Sequence, residues 1–170
     1  MLALQALRLL SANLVSACEN GRNLPARQAM LLGAMLAGQA FSNAPVAAVH
    51  ALAYPIGGIF HVPHGLSNAL VLPHVMRFNA SHAAPLYAEL CAIIAPDATG
   101  SAEARSHALI AAMEHMAAQV GIETRLREVG IAATDIDSLA DGAMLQTRLL
   151  TNNPREVSRD DAHAIYTAAW

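Results

Sequence analysis

Residues 50–65 read "HALAYPIGGIFHVPHG", three histidines beside two prolines and an adjacent pair of glycines. The run leading into this stretch, from about Pro45 to Tyr54, is apolar and reads as a helix that stops at "PIGG". A second helix starts near Pro63, because proline is tolerated only in the first turn of a helix. A helix, a bend and a helix bring His50 and His64 together on two elements that each fix a ring direction. Imidazole is the commonest side-chain ligand for first-row metals. Two readings stand on spacing alone: a metal site, or a turn that happens to be rich in histidine. The spacing matches no zinc finger, and there is no HExxH.

Outward from this stretch the pattern is helical throughout. Leu7, Leu10, Leu14 and Cys18 share one face of a first helix, with Gln5, Arg8 and Glu19 on the other. "ENGRNLP" (19–25) is a turn, with Asn23 as N-cap and Pro25 in the first turn of a helix over about 25–42. That helix carries Gly33, Ala34, Ala37 and Gly38, small residues that let a neighbouring helix come close. The helix beginning near Pro63 passes "GLSNALVLPHVMRF", and Pro73 is expected to kink or break it. Further helices are predicted at about 82–95, 101–120, 134–149 and 159–169. Ser101 and Ser158 precede two of these, and Asp160 and Asp161 sit where a helix N-terminus favours negative charge. No stretch alternates as a strand does. The expectation is an all-α fold, a single helical domain spanning 1–170.

The 170 residues suffice for a core without disulfides. The chain is 55% hydrophobic and 14% charged, with mean hydropathy +0.36, unusually apolar for a free-standing domain. Apolar runs such as "MLLGAMLAG" (30–38) are too short to span a membrane. The start, "MLALQALRLLSANLVSACEN", carries Arg8 inside its apolar stretch and no basic leader, which argues against a signal peptide. The composition instead suggests surface covered by a partner domain or subunit. Net charge is −3, and all ten basic residues are arginine. Basic runs and interleaved aromatics are absent, so nucleic acid is not an expected partner. Without lysine, Schiff-base chemistry is excluded. Cys18 and Cys91 stand far apart with no CxxC, which fits reduced thiols and a cytoplasmic location.

Residues 38–79, "GQAFSNAPVAAVHALAYPIGGIFHVPHGLSNALVLPHVMRFN", closely resemble the signature region of the iron-containing (group III) alcohol dehydrogenases. The closing segment "NNPREVSRDDAHAIYTAAW" (152–170) resembles that family's C-terminal end. The ordered set His50, Gly57, His64, Gly65, Asn68, Pro73 and Asn79 carries the match. The resemblance implies the all-helical, metal-binding C-terminal domain of a two-domain NAD(P)-dependent oxidoreductase acting on small alcohols or aldehydes. It places His50 and His64 where two metal-binding histidines stand, for Fe²⁺ or Zn²⁺. It places Phe41 at the nicotinamide and substrate cleft; plain helix packing is the other reading of that residue. His61, not a usual ligand, is read as a turn residue near the cleft.

Two departures accompany the match. The family usually has a second histidine one helical turn after the first; here that position is Tyr54, a hydrogen-bond donor in place of a proton shuttle. The family's other two ligands, an Asp and a His, lie upstream of the resemblance, as does the nucleotide-binding domain. The chain therefore reads as the C-terminal half of such an enzyme, cut at its N-terminus, with partial ligation and no means of its own to bind NAD(P). Two alternatives are carried forward. One is a non-enzymatic helical module that self-associates as a homo-oligomer. The other is a weak esterase-like hydrolase using Ser67, three residues after His64, although "GLSNA" is not GxSxG.

Overall fold

Three of the helices, α2, α5 and α8, begin where a side chain satisfies free N–H groups. In the computed structural model, which describes residues 1–170, Asn23 accepts from Ala26 N at 3.2 Å, opening α2 (Leu24–Phe41) with Pro25 in its first turn. Ser101 accepts from Ala104 N at 3.2 Å and opens α5 (Ala102–Gln119). Ser158 and Asp161 form a reciprocal capping box at the start of α8 (Arg159–Ala169). The remaining α-helices are α1 (Leu2–Glu19), α3 (Ala48–Phe60), α4 (His64–Ile94), α6 (Ile136–Met144) and α7 (Thr147–Leu150). There is no strand, so the all-α expectation holds.

Three boundaries differ from the sequence reading. The helix after Pro45 does not stop at "PIGG": α3 runs through Pro55, Gly57 and Gly58 to Phe60 and is capped by His61, which adopts the left-handed conformation with φ 56°. Pro73 does not break the next helix, and the separate helix expected at 82–95 is part of the same α4. An interior proline costs about 3 kcal/mol. Leu70, Val71, Val75 and Met76 flank Pro73 and are buried, each contributing about 1.5–3 kcal/mol. Their burial outweighs the proline. The helix expected at 134–149 is divided: α6 closes at Met144, where Gln146 N bonds Ala143 O in a tight i→i−3 turn, and α7 begins at Thr147.

Where the sequence reading treats 1–170 as one domain, internal contacts sort the chain into two compact units. Unit 1 comprises Met1–Pro45 and Ala84–Gly121. In it α1 packs on α2, and a Cβ added at Gly33 would lie 2.8 Å from Leu10 Cγ, which is why a glycine stands there. Ala88, Cys91, Leu109 and Ile110 are buried, and the Arg105 guanidinium donates to Ala88 O at 2.7 Å. Leu24, Leu31, Leu32 and Met35 leave an exposed apolar stripe on α2.

Unit 2 comprises Val46–Ala83 and Ile122–Trp170 and holds a continuous core around α3, formed with the start of α4, α6 and α8. Ala51, Leu52, Ile56, Leu139, Ala143, Ala162 and Tyr166 are all buried in it. Pro55 has no N–H for the Ala51 carbonyl. One residue along, the Tyr166 hydroxyl donates to Leu52 O at 2.6 Å, an outside donor for the turn that the proline disturbs. Burial pushes the Tyr166 phenol well above its usual pKa, so it stays a donor. Gly142 on α6 makes room for the proline ring: a Cβ there would lie 2.9 Å from Pro55 Cβ. A stiff ring cannot yield as a flexible side chain does. Gly142→Ala is therefore expected to lose about 1–3 kcal/mol through overpacking, measured by denaturant melts. An unchanged midpoint would show that α6 yields freely.

A 3-10 turn at Leu126–Val129 falls outside every expected helix, since four residues carry no readable period, and another, Ala133–Asp135, forms the start of the helix expected at 134–149. The segment before α8 is tied to α4 by polar groups. Asn79 and Asn153 exchange amide hydrogen bonds at 2.9 and 2.8 Å, and the Arg155 guanidinium donates to Phe78 O and lies 3.9 Å over the Phe78 ring. No helix is long and apolar enough to cross a membrane.

Candidate metal centre

α3 carries His50 and Tyr54 one turn apart, hence on one face. The turn after α3 brings His64 back to them. His61 N donates to Gly57 O at 3.1 Å, and its left-handed backbone reverses the chain. The bend therefore lies at 61–63 rather than at the glycine pair. Buried Ser67 donates its hydroxyl to Val62 O and Pro63 O, both at 3.2 Å, and locks the link. A Cβ at Gly57 would sit 3.3 Å from Val62 O, so the glycine admits the returning chain. His64 is then the first residue of α4.

The outcome is a cluster of three rings. His50 and His64 have centroids 5.3 Å apart, tilted by 56°, and Tyr54 stacks beside His64 with centroids 6.0 Å apart. Desolvation, and then the nearby His64, hold the His50 imidazole below its usual pKa. Both effects keep it neutral to lower pH, with a lone pair free. The Asn68 amide donates to His64 O at 2.8 Å and lies 3.1 Å from His64 Nε2. Beside the rings is a cavity of about 440 Å³, lined by Ala53, Tyr54, Gly57, Gly58, Val62 and His64.

This geometry suits one ion between two imidazoles. A metal–nitrogen bond of about 2.1 Å puts an imidazole centroid roughly 3.2 Å from the ion, and two such rings at a tetrahedral angle have centroids about 5 Å apart. The observed spacing agrees. No group of three or more His, Cys, Asp or Glu gathers around these rings or elsewhere, so the chain offers two imidazoles.

The other candidates separate. His61 is an exposed turn residue and does not line the cavity. Phe41 closes α2 in unit 1 and is 59% exposed, so it is not a core residue of that unit. Ser67 is fully buried with its hydroxyl given to two carbonyls, which overturns its reading as an esterase nucleophile. Sequence reasoning missed the cavity, whose signal was the row of small residues Ala53, Gly57 and Gly58 on the histidine helix.

Known proteins resemble this chain in sequence and share its helical fold. The model for the Fe-containing alcohol dehydrogenase family, C-terminal, matches residues 1–170. Long-chain-alcohol dehydrogenase 1 of Geobacillus thermodenitrificans is 40% identical over 99% of this chain and 43% of its own length. The 1,3-propanediol dehydrogenase of Klebsiella pneumoniae is 35% identical, with the same shares covered. A crystal structure of 1,3-propanediol oxidoreductase superposes with TM-score 0.95 at 36% identity, over 99% of this chain and 44% of that one. The chain thus spans less than half the length of these relatives. On its sequence over the full 170 residues and on its helical fold, the chain belongs to the Fe-containing alcohol dehydrogenase family and corresponds to the family's C-terminal domain.

Proposed function

We propose that this chain supplies the metal-holding part of an NAD(P)-dependent alcohol dehydrogenase acting on a small alcohol or aldehyde. The observation that carries the reading is the 5.3 Å separation of the His50 and His64 rings. These two residues would hold a divalent ion, Fe²⁺ or Zn²⁺, and the relatives' additional length is the proposed source of its remaining ligands. Such an ion, when bound, supplies Lewis acidity toward the alcohol oxygen. Tyr54 then holds that oxygen through a hydrogen bond from its hydroxyl, and the cleft beside it receives the carbon chain. A dinucleotide site of the common βαβ kind needs a strand running into a glycine-rich loop. This chain has no strand to carry such a loop. Phe41 keeps its proposed place at the nicotinamide cleft on family resemblance alone.

The exposed stripe Leu24, Leu31, Leu32 and Met35 supports a partner surface on unit 1, to be covered by a second copy or by the relatives' additional region. For the metal, ligation to the folded state alone raises stability by mass action. Zn²⁺ at a hundredfold excess over its Kd is expected to stabilise the chain by about 2.7 kcal/mol. The same addition should leave the melting temperature of His50→Ala unmoved. An equal shift in both proteins would place the ion elsewhere.

A further inference from the structure

The Asn68 amide has its nitrogen at the His64 ring and its oxygen in the protein interior, and only the nitrogen has partners. Asn68 follows His64 by one helical turn on α4, so the two side chains share a face. Its Nδ2 donates to His64 O at 2.8 Å and lies 3.1 Å from Nε2 and 3.4 Å from Nδ1 of the ring. A donor aimed along one ring nitrogen's lone pair would stand about 5 Å from the other nitrogen. Placed in the ring plane between the two, it would fall about 2.3 Å from the carbon joining them, well inside van der Waals contact. The amide nitrogen therefore lies over the ring face, where an N–H meets the π-system. Ring lone pairs lie in the plane, so the ligating nitrogen stays open.

The Asn68 Oδ1 is buried and accepts no hydrogen bond. An unpaired buried acceptor lowers the folding equilibrium roughly five- to hundredfold. Turning the amide over gives no relief, because Oδ1 would then stand 2.8 Å from His64 O, oxygen against oxygen. Asparagine is also a poor former of helix interiors. On stability alone, an apolar residue suits position 68 better. His64 itself is exposed, and an imidazole torsion has broad wells, so the ring needs a brace to keep one direction.

We propose that Asn68 is a positioning residue for the metal centre: it braces the His64 imidazole across its face and leaves the in-plane nitrogens unobstructed, while its own oxygen stays stranded. The ion rests on the metal reading above; the brace follows from the ring geometry alone.

The test uses the whole 170-residue chain beside Asn68→Leu, which keeps much the same volume and removes the amide. A residue that only supports the fold lowers stability when it is replaced. Asn68→Leu should instead melt at or above the temperature of the unaltered chain. Carbon-13 relaxation of the histidine rings in the metal-free protein, assigned to His64 through His64→Ala, should show that ring more mobile in the variant. Zn²⁺ affinity by calorimetry should fall about 10–100-fold, the usual effect of losing an outer partner of a metal-binding histidine. Should Asn68→Leu fail to fold, Asn68→Ala carries the same three measurements. A His64 ring equally mobile with and without the amide, undiminished Zn²⁺ affinity, or a lower melting temperature in both variants would overturn the proposal. The ring measurement separates the two readings, because it needs no metal. A ring that loosens in a chain taking up no Zn²⁺ would remove the metal reading alone. Equal Zn²⁺ uptake with and without the amide would remove this one alone.

Discussion

Tyr166→Ala is expected to be the most destabilising single change in unit 2, at about 3–5 kcal/mol. Tyr166 is the largest fully buried side chain of the core, at 0% exposure. Truncation removes its ring from among the residues packed around α3 and leaves a cavity that a helix-lined core closes only in part. It also removes the hydroxyl that donates to Leu52 O at 2.6 Å, beside the turn interrupted by Pro55. Tyr166→Phe separates the two effects: it keeps the ring, loses the donor and should cost only about 1 kcal/mol. Denaturant melts of both variants measure the split. Equal losses would show that the hydrogen bond, rather than packing, holds α3 in place. The histidine pair would feel the truncation indirectly, because Tyr166 braces the helix that carries His50 and Tyr54 on its other turns.

His50→Ala and His64→Ala should each weaken Zn²⁺ binding by more than the roughly 10–100-fold that loss of a mere outer hydrogen-bond partner costs a metal site. Each imidazole is one of only two ligands that the chain presents, so neither can be replaced from within it. Once one is gone the second has little left to hold, so the double variant should be scarcely weaker than either single one. One ion still bound with unchanged affinity in each single variant, against two in the unaltered chain, would mean two separate ions. Tyr54→Phe should leave affinity near that of the unaltered chain, since the proposed role of Tyr54 is toward the substrate oxygen. Calorimetric titration distinguishes all of these outcomes.

Much of the fold was legible because its signals are local. Asn23, Ser101 and Ser158 each announced a helix start that the structure shows as a capped N-terminus. A cap needs only residues three apart, and sequence displays those directly. The prolines misled for the opposite reason. Pro55 and Pro73 end helices by local rules, yet here Gly142, Tyr166, Leu70, Val71 and Val75 surround and support the turns that contain them. Those neighbours are distant in sequence or count only through burial. Ser67 shows the same limit: its place after His64 suggested a nucleophile, and only the fold reveals its hydroxyl turned onto Val62 O and Pro63 O. The nearness of His50 and His64 was readable as two helices and a bend. The bend itself was misplaced, because the left-handed turn falls on His61 and not on the glycines, the residues that adopt it most readily.

The central claim is that both imidazoles bind one ion. X-ray absorption at the metal edge of the Zn²⁺-loaded chain tests it most directly, since the outer-shell scattering counts the imidazoles on the ion. Two are expected in the unaltered chain, and the imidazole scattering is expected to be lost in either histidine variant. A single imidazole in the unaltered chain, or a spectrum untouched by His50→Ala, would contradict it.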